Sequence, residues 1–139
     1  MRTLVATAGG AALFTGLAWA GTREAESCLR AKVWEGYADG WGVRTLTATE
    51  LASGKTRNYV VNLFKGNQYK IQTCGDDHVT NLDVLLYDQA GTVLARDTTT
   101  DRQPVVEFTP TETGSYYVVL YARELAKPEA GVAMAVVYK

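Results

Sequence analysis

Chemistry, if this chain does any, would have to start from its single histidine. His78 stands in the run Gly75-Asp76-Asp77-His78, and Asn81 and Asp83 follow it closely. Calcium takes about six to eight hard oxygen ligands, so Asp and Asn gathered in a turn are suitable donors. Asp97 and Asp101 are further donors that the fold could bring near. The rival reading is ordinary turn chemistry, in which Asp and Asn side chains bond their own backbone. The spacing is not that of an EF-hand loop, so the plain turn is preferred. Calcium held by Asp76, Asp77, Asn81 and Asp83 is kept as the alternative, and no other cofactor is expected.

Catalysis is not expected. A nucleophile needs a base beside it and a third group to orient that base. Ser27, Ser53 and Ser115 sit in cap, turn and strand-start contexts, and no G-x-S-x-G elbow occurs. Fifteen acidic residues could supply a carboxylate pair for hydrolysis, but nothing in the order of residues selects two of them. No phosphate-binding glycine loop and no zinc-spaced ligand set is present.

The two cysteines, Cys28 and Cys74, form no C-x-x-C pair. In an exported chain such a pair is expected to be bridged. The other reading is two buried reduced thiols acting as small hydrophobes. Export itself is read from the start of the chain. Arg2 gives a positive n-region, Leu4 to Trp19 a largely apolar stretch, and Ala18-Trp19-Ala20 places small residues where a signal peptidase reads. Residues 1–20 are therefore expected to be a secretory leader rather than a membrane span. The protein would then work in the periplasm or outside the cell. Its formal net charge is −1, with 14 basic and 15 acidic side chains, so neither nucleic acid nor a membrane surface is an expected partner.

These residues have to be positioned by a short list of elements. Leu29, Val33, Tyr37 and Trp41 recur every fourth residue with Trp34 beside them, which predicts an amphipathic helix over 22–41 ending near Asp39 or Gly40. Thr22 or Ser27 could cap it, and Glu24 and Glu26 suit its positive end. The cluster Trp34/Tyr37/Trp41 could be a ligand platform, but a helix face packed on a sheet is preferred.

Beyond Val43 the period becomes two. Strands are expected over 43–48, 56–64, 69–73, 82–87, 92–96, 105–108, 116–122 and 132–138, separated by turn residues such as Gly54, Gly66 and Gly91. The turn Gly66-Asn67 and the alternating Tyr69, Ile71 and Thr73 lead through the acidic loop to Leu82 to Tyr87, the stretch about which the other strands are arranged. About eight short strands with no helix between them predict an all-β, antiparallel, jelly-roll-like β-sandwich preceded by one N-terminal helix. The expected organisation is a leader (1–20), a helical segment (21–42) and a sandwich (43–139). Tyr116 to Tyr121 is apolar on both faces, so it requires cover on both sides.

With the strands placed, residues 57–138 resemble the bacterial pre-peptidase C-terminal domain, a β-sandwich related to collagenase binding domains. Gly66-Asn67-Gln68-Tyr69 resembles its Gly-x-x-Tyr strand start. Asn81-Leu82-Asp83-Val84-Leu85-Leu86-Tyr87-Asp88 resembles its Asp-Leu-Asp-Leu-x-Leu-Tyr-Asp strand. Val106-Glu107-Phe108-Thr109-Pro110 and Gly114-Ser115-Tyr116-Tyr117-Val118 resemble its closing pair of motifs. The resemblance implies a non-catalytic module, of which some members bind matrix proteins, polysaccharide or calcium. Such modules usually follow a secreted enzyme, whereas here a helical segment of some twenty residues stands in that place.

The expected function is thus an exported, non-catalytic binding or accessory module of the cell envelope or exterior, recognising polysaccharide, peptide or a protein partner. Trp34, Trp41, Tyr59, Tyr87 and Tyr121 are the candidate contacts, because Tyr and Trp offer large amphipathic surfaces. If so, several of them should be exposed together. The alternative is a structural protein that assembles through edge strands or the helix stripe, as an oligomer or an accessory subunit.

Overall fold

The structure is a computed structural model that describes the backbone of residues 2–139 and the side chains from residue 20 onward. All but the last residue of the expected leader therefore lies outside the residues whose side chains are described. One helix, α1 (Arg2–Tyr37), precedes eight strands: β1 (Gly42–Ala52), β2 (Thr56–Leu63), β3 (Tyr69–Gly75), β4 (Val79–Tyr87), β5 (Val93–Asp97), β6 (Val105–Phe108), β7 (Gly114–Leu125) and β8 (Glu129–Tyr138). Most strands run a few residues further than alternation predicted, because backbone pairing continues past the alternating stretch, as it does in β1 through Leu51 and Ala52. Among the described residues no helix is long and apolar enough to cross a membrane.

The strands form two antiparallel four-stranded sheets. Sheet A has the order β1-β8-β3-β6 and sheet B the order β2-β7-β4-β5. This is the interleaved order of a jelly roll, in which successive strands alternate between layers except at the β4–β5 hairpin, which stays within sheet B. The expected pair flanking the acidic loop illustrates it: β3 lies in sheet A and β4 in sheet B, so Gly75-Asp76-Asp77-His78 crosses from one layer to the other. Ile71, Leu82, Val84, Leu86, Val118, Leu120, Met134 and Val136 fill the space between the sheets.

A second core lies outside sheet A. Strand β8 is buried on both faces. Its residues Val132, Met134 and Val136 point into the sandwich, while Ala133, Ala135 and Val137 point the other way. Against these sit Ala25, Leu29 and Val33 of α1. Alanines at two of the three outer positions let the helix come close to the strands. Gly131 does the same at the helix's described start: a Cβ there would collide with the Gly21 carbonyl. Cys28 and Cys74 are bridged, with their Cα atoms 6.1 Å apart, and this overturns the reduced-thiol alternative. The bridge fastens the buried face of α1 to β3.

The helix terminates as its glycines require. Gly40 adopts φ of +89°, which costs a Cβ-less residue little. Its N–H donates to the Tyr37 carbonyl at 3.0 Å, and the Trp41 N–H donates to the Gly36 carbonyl at 3.1 Å. That pair of bonds is the Schellman closure, and it places the stop at Gly40 as predicted.

Candidate binding face

The two sheets differ in what covers them. Sheet A is sandwiched between the inner core and α1, whereas among the described residues no helix lies over the outer face of sheet B. Alternation along β7 sends Tyr116, Val118, Leu120 and Ala122 inward and therefore Tyr117, Val119, Tyr121 and Arg123 outward.

Register then assembles the outer face in rows. Val60, Tyr117, Tyr87 and Val93 stand side by side across all four strands. The next row is Asn58, Val119, Leu85 and Arg96, and the one after it Thr56, Tyr121 and Asp83. Val60 is 65% exposed, Val93 41% and Tyr117 38%. A row of two valines and two tyrosine rings, on the side of the sandwich that no described helix covers, is an unusual surface for a protein on its own.

At one corner of this face the strand pairing slips. Asn81 is opposite Glu124 and Leu82 opposite Ala122, so Arg123 is the extra residue of a β-bulge. Its Nε donates to Asp83 Oδ2 at 2.7 Å, and its guanidinium stands 5.0 Å from the centre of the Tyr121 ring. Asp83 is buried and Arg123 is half exposed. The hydrogen bond to Asp83 and that carboxylate's charge raise the Arg123 pKa further above its ordinary value. Asp83 Oδ1 and Asn81 Oδ1 are buried with no hydrogen-bond partner among the described residues.

The aromatic contacts named from sequence do not form one patch. Tyr87 and Tyr121 share the outer face of sheet B. Tyr59 is turned the other way and packs on the inner core, because it is in phase with Val61 and Leu63. Trp34 and Trp41 are on the opposite side of the molecule. Trp34 is 73% exposed and packs edge-on against Tyr37, with ring centres 5.3 Å apart. Trp41 is half buried beneath Lys70, whose Nζ lies 4.2 Å from its ring centre. The packed-face reading of the Trp34/Tyr37/Trp41 cluster therefore holds for Trp41, which packs with Leu29 and Val33 on the helix–sheet core, and fails for Trp34 and Tyr37, which are exposed. Tyr117, Val60 and Arg123 are the members of the sheet B face that inspection of single residues missed. For Tyr117 the signal was the strand that is apolar on both faces, and for Val60 its alternation with Tyr59 and Val61.

The acidic loop is engaged in structural bonds. Asp76 is buried, accepting from the His78 N–H at 2.9 Å through Oδ1 and from the Gly131 N–H at 2.8 Å through Oδ2. Asp77 is exposed, Asp83 belongs to sheet B, and Asp101 accepts from the Gln103 N–H at 3.0 Å. Asp97 accepts from the Thr99 and Val105 N–H groups, at 3.2 and 3.0 Å. Burial opposes ionisation of Asp97, but these bonds and the Thr99 hydroxyl prevail and hold its pKa below the usual value. Among the described residues no three His, Cys, Asp or Glu side chains stand together as metal ligands do. The His78 ring is hydrogen-bonded to neither a hydroxyl nor a carboxylate among them.

The architecture defines a class, the two-sheet jelly-roll sandwich with one face left open. Residues 55–122 match the model of the bacterial pre-peptidase C-terminal domain family. Two solved structures share the fold. The pre-peptidase C-terminal domain of a Bacillus anthracis collagenase aligns with a TM-score of 0.55 at 16% identity, over 68% of this chain and 90% of that one. PliG of Aeromonas hydrophila, a periplasmic inhibitor of g-type lysozyme, aligns with a TM-score of 0.52 at 12% identity, over 73% of this chain and 90% of that one. No curated protein matches the sequence. The family segment takes in β2 through β6 and most of β7, so it contains nearly all of sheet B.

Proposed function

We propose that this is an exported, non-catalytic module that holds a protein partner on the outer face of sheet B. One observation carries the reading: the sandwich covers one outer face permanently with α1 and leaves the other bare, with Val60, Tyr117, Tyr87 and Val93 in a row. Tyr is the side chain suited to such a face, because its ring buries well and its hydroxyl tolerates water while the face waits. Export is supported by the Cys28–Cys74 bridge and by the small residues at Ala18 and Ala20. A protein partner is supported by the sandwich of a lysozyme inhibitor, which is a fold-level likeness.

Assembly through a free strand edge is the second reading, since β1 runs eleven residues and pairs only with β8. That edge carries a bulge at Arg44 and the charges of Arg44 and Glu50, which are devices that discourage pairing. The open face is the better docking surface. The test is photo-crosslinking in an exporting bacterium, with the crosslinker at Val60 and, as a control, at Ser27 on the solvent side of α1. A discrete adduct with another protein from position 60 alone supports the proposal. Adducts of twice the chain's own mass favour assembly, and equal labelling from both positions refutes a dedicated face.

A further inference from the structure

We infer that the protein seated on sheet B presents a carboxylate, beside an apolar side chain, to Arg123. This rests on the docking reading above and specifies its chemistry. Arg123 uses only Nε on Asp83, at 2.7 Å, and its terminal nitrogens have no hydrogen-bond partner among the described residues. A guanidinium in that state has its orientation fixed on one side and its fork free on the other. The fork matches a carboxylate with two parallel N–H···O bonds.

Three features hold Arg123 ready for that contact. The bulge throws the residue outward from the strand. The carboxylate of Asp83, itself 1% exposed, anchors Nε from below. The Tyr121 ring flanks the guanidinium at 5.0 Å, which limits its swing and shields it from water on that side. Little side-chain freedom then remains to be lost on binding, and this favours affinity. Val119 and Tyr121 lie next to it on the same face, so the group that brings the carboxylate also meets apolar surface. Tyr and Arg together are the residues that most often dominate an interface. Glu124 at the strand end and the exposed Arg96 in the neighbouring row leave the rest of the face nearly balanced in charge, so the preference is local to Arg123.

The experiment is an NMR titration of the exported, oxidised protein with N-acetylphenylalanine, which carries a carboxylate beside a ring, and with its neutral amide. Free glucuronate serves as a carboxylate without the ring. Expected are amide shifts at Thr56, Asp83, Tyr121 and Arg123, several-fold tighter binding of the acid than of the amide, and loss of that preference in Arg123→Gln. Arg123→Lys keeps the charge without the fork and should recover only part of it. Equal binding of acid and amide on the face overturns the carboxylate while leaving the docking face standing. Absence of shifts on sheet B with either phenylalanine probe defeats both. Glucuronate binding as tightly as N-acetylphenylalanine would replace the protein partner by an acidic polysaccharide.

Discussion

Cutting the Cys28–Cys74 bridge tests how α1 is held to the sandwich. The bridge closes a loop across a separation of 46 positions. For a loop of that length the chain-entropy relation gives a stabilisation of about 4 kcal/mol at room temperature. Replacing both residues by alanine also removes the sulfur of Cys74, which is fully buried under the helix, at a cost of about 1 kcal/mol by analogy with loss of one methylene. The expected loss for Cys28→Ala with Cys74→Ala is therefore roughly 5 kcal/mol, or a fall in Tm of roughly 20 °C for a domain of this size.

Where that loss falls is as informative as its size. Among the described residues of α1, Ala25, Leu29 and Val33 are the ones buried on sheet A. Burying a Leu and a Val contributes about 1.5–3 kcal/mol each, which is small against the ordering of a whole helix. Without the bridge the helix should therefore loosen before the sheets part. Hydrogen exchange should show protection falling over residues 25–37 more than over β4 and β7, and urea titration gives the total. A loss below about 1 kcal/mol, with helix amides as protected as before, would refute the argument that the bridge holds the helix.

Three further outcomes are expected. Partial desolvation of the mostly exposed Glu50 carboxyl, followed by the proximity of Glu129, raises it above its ordinary pKa; the folded state thus disfavours the ionised form, so Glu50→Gln should be slightly the more stable protein at neutral pH, the effect being reduced by solvent screening. The difference should shrink as acid protonates Glu50 in the parent, and melts from pH 7 down to about pH 4 that showed a constant gap would contradict it. Gly131→Ala should lose about 1–3 kcal/mol by overpacking, because the new Cβ meets the backbone of Gly21; an unchanged melting curve would mean that α1 does not approach β8 so closely. Mass spectrometry of the exported protein should find Gly21 at its start, leaving a new ammonium near Asp76 and Gly131, and acetylating that amine should lower Tm; a different first residue removes the premise.

The sandwich was legible because its strands alternate so regularly, and the helix stop because Gly36 and Gly40 announce it. The layering of strands was not, since a jelly roll pairs β1 with β8 and β2 with β7 across most of the chain, beyond any local pattern. The helix stripe shows a subtler failure. At 3.6 residues per turn, each step of four advances about 40° around the axis. Three steps from Ala25 carry Tyr37 about 120° off the buried line, so it faces solvent although it keeps the spacing. Tyr59 was misplaced for the opposite reason. It was singled out as an aromatic, but its phase with Val61 and Leu63 sends it inward, and Val60 is the residue that β2 contributes to the open face. Arg123 could not be read at all, because a bulge and a partner forty residues upstream give it its orientation.

The same side chains explain why one face is closed for good and the other is open. Outside sheet A the strands present Ala133, Ala135, Ala48 and the bridged Cys74, too small to leave much apolar surface and shaped to accept a helix at close range. Outside sheet B they present Tyr87, Tyr117, Tyr121 and Val60, too bulky for such a helix and partly content in water through their hydroxyls. A cover needed for folding is best covalently tied and closely packed, as α1 is. A cover that comes and goes needs a surface stable without it, with large anchors and an oriented charge to grip it on arrival. Sheet B has that composition, and the terminal nitrogens of its Arg123 have no hydrogen-bond partner among the described residues.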